Sequence, residues 1–188
     1  MVYFRCGDIA TTFANSYGFL HPDWLRGFLP TLVNDAAADY VLLLGNRGSH
    51  GDQRPRTLCE GYFGELKKHV ASMTSKPVLV APEGFDDNAR WGIIRDIRCM
   101  TQSAALVDYT YASSFGYVAS LLHNGCASVI PHFEPGAKAG KTPPASFQRP
   151  PNPRARLVTV GQRHLVKKIP AFVGKNESAV APGRTVIP

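Results

Sequence analysis

The chain has 188 residues, 44% of them hydrophobic, enough for one domain with its own core. No apolar run approaches the roughly 20 residues of a membrane span. Arg5 and Asp8 interrupt any signal-peptide pattern at the start, and the dispersed histidines and cysteines have no metal-ligand spacing. The net charge of +7 is uneven: residues 1–133 carry 11 Lys and Arg against 12 Asp and Glu, while residues 134–188 carry 10 against Glu134 and Glu177. The basicity therefore belongs to the C-terminal segment and says nothing about the partner of the rest. Cys6, Cys59, Cys99 and Cys126 form no Cys-x-x-Cys pair and read as free thiols of a reduced compartment.

Residues 2–4 read as a first strand, with Arg5-Cys6-Gly7-Asp8 as its exit loop. Opening on what reads as a central strand suggests further chain upstream. Pro22-Asp23 opens a helix with Trp24, Leu25, Phe28 and Leu32 on its apolar stripe, weakened in the middle by Gly27 and Pro30. Residues 40–44 are a second strand, followed by a long polar loop. Residues 58–73 form the clearest helix, with Phe63, Leu66, Val70 and Met73 on one face. Residues 77–81 are a third strand. A helix over 89–102 should turn Trp91, Ile94, Ile97 and Met100 inward.

The stretch 105–122 organises the chain. Ala105, Leu106 and Val107 make the short apolar run of a strand covered on both faces. Ser113 or Ser114 is placed to cap the following helix, its hydroxyl accepting a bond from a first-turn N–H. Phe115, Val118, Ala119 and Leu122 recur at helical spacing as that helix's apolar face. Residues 127–130 are a fifth strand. Strands alternating with helices imply an α/β, Rossmann-like, doubly wound parallel sheet of about five strands with helices on both faces, spanning residues 1–133. Residues 134–188 hold nine prolines and read as a basic, largely extended or disordered tail, with strand character only at 157–160 and 165–166.

The orphan N–H groups of the helix after Ser113-Ser114 make an anion site at the sheet edge where ligands bind in open parallel sheets. Arg5 leaves the first strand at the same edge, and a guanidinium with a helix N-terminus suits a diphosphate. Asp8 follows in the same loop and could position a hydroxyl or pair with Arg5 itself, which would then only hold the loop. No Gly-x-Gly-x-x-Gly follows the first strand, no Walker loop lies in the core, and there is no Gly-x-Ser-x-Gly elbow. These omissions argue against a dinucleotide oxidoreductase, a P-loop nucleotidase and an α/β-hydrolase.

Val-Tyr-Phe-Arg-Cys-Gly-Asp at 2–8 resembles the His-x-Arg-Arg-Gly-Asp strand-loop of GT-B fucosyltransferases of the α-1,2-fucosyltransferase-like group. Asp96, Met100 and Ser-Ser-Phe at 113–115 resemble their Asp-x-x-x-Met…Ser-Ser-Phe segment, and 125–131 resembles the Pro-ended strand that follows. The resemblance covers residues 2–133, the donor-binding half of such an enzyme. It implies a nucleotide diphosphate sugar donor, GDP-fucose by preference, and an unknown glycan or protein acceptor. It assigns the donor phosphates to Arg5, with Asp8 beside it as the catalytic pair, and to Ser113 and Ser114. Asp96 would contact the nucleoside and Phe115 would line its pocket, although a helix acid serving the dipole and a packing aromatic are the plainer readings of those two. No cofactor is implied, and no metal is required if Arg5 meets the developing charge. Tyr3 replaces the motif histidine, Cys6 the second arginine, Gly116-Tyr117 the usual Trp-Trp, and Gly45-Asn46 an acidic pair. The alternative is a non-catalytic nucleotide- or polyanion-binding module with a vestigial site, its basic tail engaging nucleic acid or anionic lipid.

Overall fold

A computed structural model describes residues 1–6, 18–46, 53–81, 89–111, 113–137 and 150–166. In chain order its elements are β1 (Val2–Arg5), β2 (Phe19–Leu20), α1 (Asp23–Arg26), α2 (Leu29–Asp35), β3 (Val41–Asn46), α3 (Gln53–Ala71), β4 (Val78–Val80), α4 (Ala89–Gln102), β5 (Ala105–Asp108), α5 (Ser114–Leu122), β6 (Ala127–Phe133), β7 (Ala155–Val160) and β8 (Leu165–Val166). Six strands form one all-parallel sheet in the order β4-β3-β1-β5-β6-β7, and β2 pairs antiparallel with β8. Numbered along the chain, the sheet strands run 3-2-1-4-5-6, so the winding reverses between β1 and β5, the place where open α/β sheets hold ligands.

Alternation along each strand sorts the core into two faces. Val2, Phe4, Val41, Leu43, Val107 and Val129 meet α1, α2 and α3 on one face. Tyr3, Leu44 and Leu106 meet Met100 of α4 and Ala119 of α5 on the other. Helices thus cover both faces, as the strand–helix alternation predicts.

Several expectations need correction. The sheet has six strands, because the strand expected near 157–160 pairs with β6 over Ser128 to Phe133 instead of lying apart in a tail. The sheet therefore continues past residue 133, while 138–149 and 167–188 lie outside the described residues. The first helix is two, α1 and α2, interrupted at Gly27-Phe28. On α4, Met100 and Ile97 pack inward, but Ile94 is 55% exposed; the Trp91 side chain lies outside the description.

The cysteines are corrected as well. Cys6 and Cys59 form a disulfide, their Cα atoms 5.8 Å apart and both residues fully buried. The end of β1 and the second turn of α3 meet at one sheet edge, a proximity that 53 residues of separation conceal. Closing a loop of that size constrains the unfolded chain by on the order of 4 kcal/mol. Only Cys99 and Cys126 are free thiols. No helix among the described residues is long and apolar enough to cross a membrane.

Candidate functional site

β1 and β5 lie side by side, with Tyr3 opposite Asp108. Arg5 ends β1 two residues beyond Tyr3, half-buried, and the chain after β5 turns through Tyr109, Thr110 and Tyr111 into α5. The fold thus brings Arg5, Ser113 and Ser114 to one edge, at the reversal of strand order. Asp8 lies outside the described residues.

Ser113 is the N-cap of α5, with extended backbone (φ −86°, ψ 119°), but its hydroxyl makes no capping bond. The expectation of a side-chain cap is therefore corrected. Ser113 is 4% exposed and its Oγ has no hydrogen-bond partner among the described residues. A buried hydroxyl left unsatisfied costs about 1–3 kcal/mol, which a ligand atom would recover. Ser114 is exposed. Phe115 packs on Tyr3, ring centroids 5.3 Å apart, which gives Tyr3 a packing role.

Asp96 stands apart. It sits in the middle of α4, about 10 Å of helix beyond Ala89, and its Oδ1 accepts from Arg95 Nη2 at 2.9 Å. Burial raises its pKa and the Arg95 bond opposes that shift. Asp96 is not in the first turn, so the dipole reading of it does not hold.

The residue the sequence reading missed is Asp108. It closes β5, is 3% exposed, and lies under the first turn of α5. A Cβ built on Gly116 would fall 2.2 Å from Asp108 Oδ1, so the carboxyl rests against helix backbone that only glycine leaves open. Thr110 Oγ1 donates to Asp108 Oδ1 at 2.5 Å. Burial pushes the carboxyl pKa up to about 7, against the lowering effect of that bond. A carboxylate ending an otherwise apolar buried run, Ala-Leu-Val-Asp, is the signal that could have found it.

Of the expected apolar face of α5, Phe115 and Ala119 pack inward, and Val118 and Leu122 are corrected. Gly116, Ala119 and Ser120 face inward, while Val118, Leu121 and Leu122 are 44%, 49% and 51% exposed. Small residues let the helix approach the sheet closely, and that approach sets its N-terminus over Asp108. A cavity of about 410 Å³ opens at the opposite sheet edge, among Leu29, Val33, Val41 and Ala105, away from these groups.

No protein-family model matches the chain, and neither a curated protein nor a solved structure matches it. What the coordinates define is an open, doubly wound, all-parallel α/β sheet with helices on both faces.

Proposed function

We propose that this chain is the donor-binding domain of a fucosyltransferase-like glycosyltransferase, taking a nucleoside diphosphate sugar of the GDP-fucose class. The observation that supports the reading is the placement of Arg5 and the N-terminus of α5 at one sheet edge, at the reversal between β1 and β5, where Ser113 keeps a buried hydroxyl with no hydrogen-bond partner among the described residues. In this reading the Arg5 guanidinium and the first-turn N–H groups take the diphosphate, Ser113 and Ser114 add hydroxyls, and Phe115 supports the wall beside them. As the glycosidic bond to the donor breaks, negative charge grows on the departing diphosphate. Donors already fixed at that place lower the barrier by several kcal/mol. The acceptor is a glycan or protein hydroxyl.

Calorimetric titration of the full chain with GDP, GDP-fucose, UDP and ADP tests this. GDP and GDP-fucose should bind, and Arg5→Ala should weaken them at least about tenfold through loss of a charge-assisted contact. Failure of every nucleotide to bind, or unchanged affinity in Arg5→Ala, would overturn the assignment.

A further inference from the structure

The same sheet edge carries a second recess at its other end. Glu134 follows β6 and Gly161 follows β7, and between them lies a cavity of about 380 Å³ walled also by Thr159, Gln162, Arg163 and His164. The backbone ladder runs up to its floor, with Glu134 N–H donating to Val160 O at 3.1 Å.

Two braces hold this recess. His21 N–H, just after β2, donates to His164 O at 2.7 Å, and Trp24 Nε1 donates to Thr159 O at 3.1 Å. The β2–β8 pair therefore clamps the 3₁₀ turn Gln162–His164 over the ends of β6 and β7. Within it Gly161 N–H donates to His164 Nδ1 at 3.3 Å. Arg163 Nε lies 3.3 Å from His164 Nε2. Burial, Arg163 and His21 lower the His164 pKa, and Asp23 and Glu134 oppose that shift. A Cβ on Gly161 would come within 2.9 Å of Glu134 Oε2, so the Glu134 carboxylate lies over bare backbone.

Glu134 and Arg163 wall one cavity, yet they form no ion pair with each other or with another described residue. A phosphate would be repelled by Glu134 and an ammonium by Arg163. A neutral ligand that offers adjacent hydroxyl donors and ring or hydroxyl oxygens satisfies both. No group of described residues here or elsewhere is arranged to hold a metal ion.

We propose that the recess between the ends of β6 and β7 binds the vicinal diol of a sugar ring, Glu134 accepting from the two hydroxyls and Arg163 donating to an oxygen. The recess lies two strand spacings, about 10 Å, from the β1–β5 crevice, so one nucleotide sugar could reach both. The diol assignment does not depend on the phosphate assignment, and the test uses ligands without phosphate.

Guanosine, 2′,3′-dideoxyguanosine and L-fucose are titrated into the full chain and into Glu134→Gln by ¹H–¹⁵N NMR. Guanosine or L-fucose should bind and lose about tenfold in affinity in Glu134→Gln. Dideoxyguanosine should bind more weakly than guanosine and be indifferent to the substitution. Binding by guanosine assigns the diol to a ribose, and binding by L-fucose alone assigns it to a hexose. Gly161→Ala, which displaces the carboxylate while keeping its charge, should weaken the same ligand. Absence of binding by both diol ligands, or equal affinity for Glu134→Gln, overturns the proposal, whatever Arg5→Ala does to GDP.

Discussion

α3 and α5 lie on opposite faces of one sheet and are held in opposite ways. α3 seats on bulk: Tyr62, Phe63, Leu66 and Val70 are all at most 2% exposed, Phe4 packs between the rings of Tyr62 and Phe63, and Cys59 ties the helix covalently to β1. α5 seats on smallness. Its inward residues are Gly116, Ala119 and Ser120, and its aliphatic side chains point outward. Apolar burial favours any orientation that hides the large residues, so it sets α3 by itself. Close approach needs one particular face and sacrifices apolar burial to obtain it, and in α5 that sacrifice delivers a helix N-terminus to the end of β5. The second helix carries the candidate chemistry, and the first carries stability.

The largest expected difference between the two faces is their response to pH. The folded Asp108 keeps its proton up to about pH 7, whereas the unfolded carboxyl loses it near 3.8. Between those values the folded chain binds more protons, so stability falls as pH rises from about 4 to about 7 and stays at the lower level above that. The full loss is on the order of 4 kcal/mol. Asp108→Asn, which never ionises, should equal the parent near pH 4 and exceed it above pH 7, as read from urea midpoints across pH. Parallel stability profiles for the two proteins would show that the carboxyl is solvated in the folded state.

Next in size is the contrast in what each helix owes to its large residues. Leu66→Ala removes a fully buried side chain of α3 and should cost about 3 kcal/mol. Leu122→Ala on α5, half exposed, should cost less than about 0.5 kcal/mol. Equal losses in chemical denaturation would mean that the outward face of α5 is covered in solution.

This contrast also explains what could be read before the structure. The bounds of α4 and the inward residues of α3 follow from periodicity, and on α3 the pattern meets an apolar surface that accepts it. The position of Ser113 at the start of α5 was legible from strand-then-helix patterning. The idle state of its hydroxyl was not, because it depends on where the neighbouring turn sets the side chain. Val118 and Leu122 misled because periodicity reports which residues could be buried, and here Asp108 and Gly116 decide which are. The Cys6–Cys59 bond and the pairing of β7 with β6 are non-local, and local patterns do not encode partners. Glu134 and His164 come together through the β6–β7 pairing and the β2–β8 clamp, both of them non-local.

The smallest effect separates the two seating modes most cleanly. Gly116→Ala replaces the poorest non-proline helix former with the best, a change that alone stabilises a helix interior by about 1 kcal/mol. At this site the new methyl would lie 2.2 Å from Asp108 Oδ1, and the carboxyl has no room to retreat because it is buried and bonded to Thr110. The helix must lift, and the expected result is a net loss of about 1 kcal/mol, the overpacking cost exceeding the propensity gain. Lifting α5 also moves its first-turn N–H groups, so the GDP binding proposed above should weaken with stability. In an Asp108→Ala background the methyl fills the space the carboxyl vacates, and Gly116→Ala should then become neutral or stabilising. A sign reversal between the two backgrounds in urea denaturation identifies the carboxyl-to-backbone contact as the feature that seats α5. The same sign in both backgrounds would mean that the helix is positioned by its other contacts with the sheet.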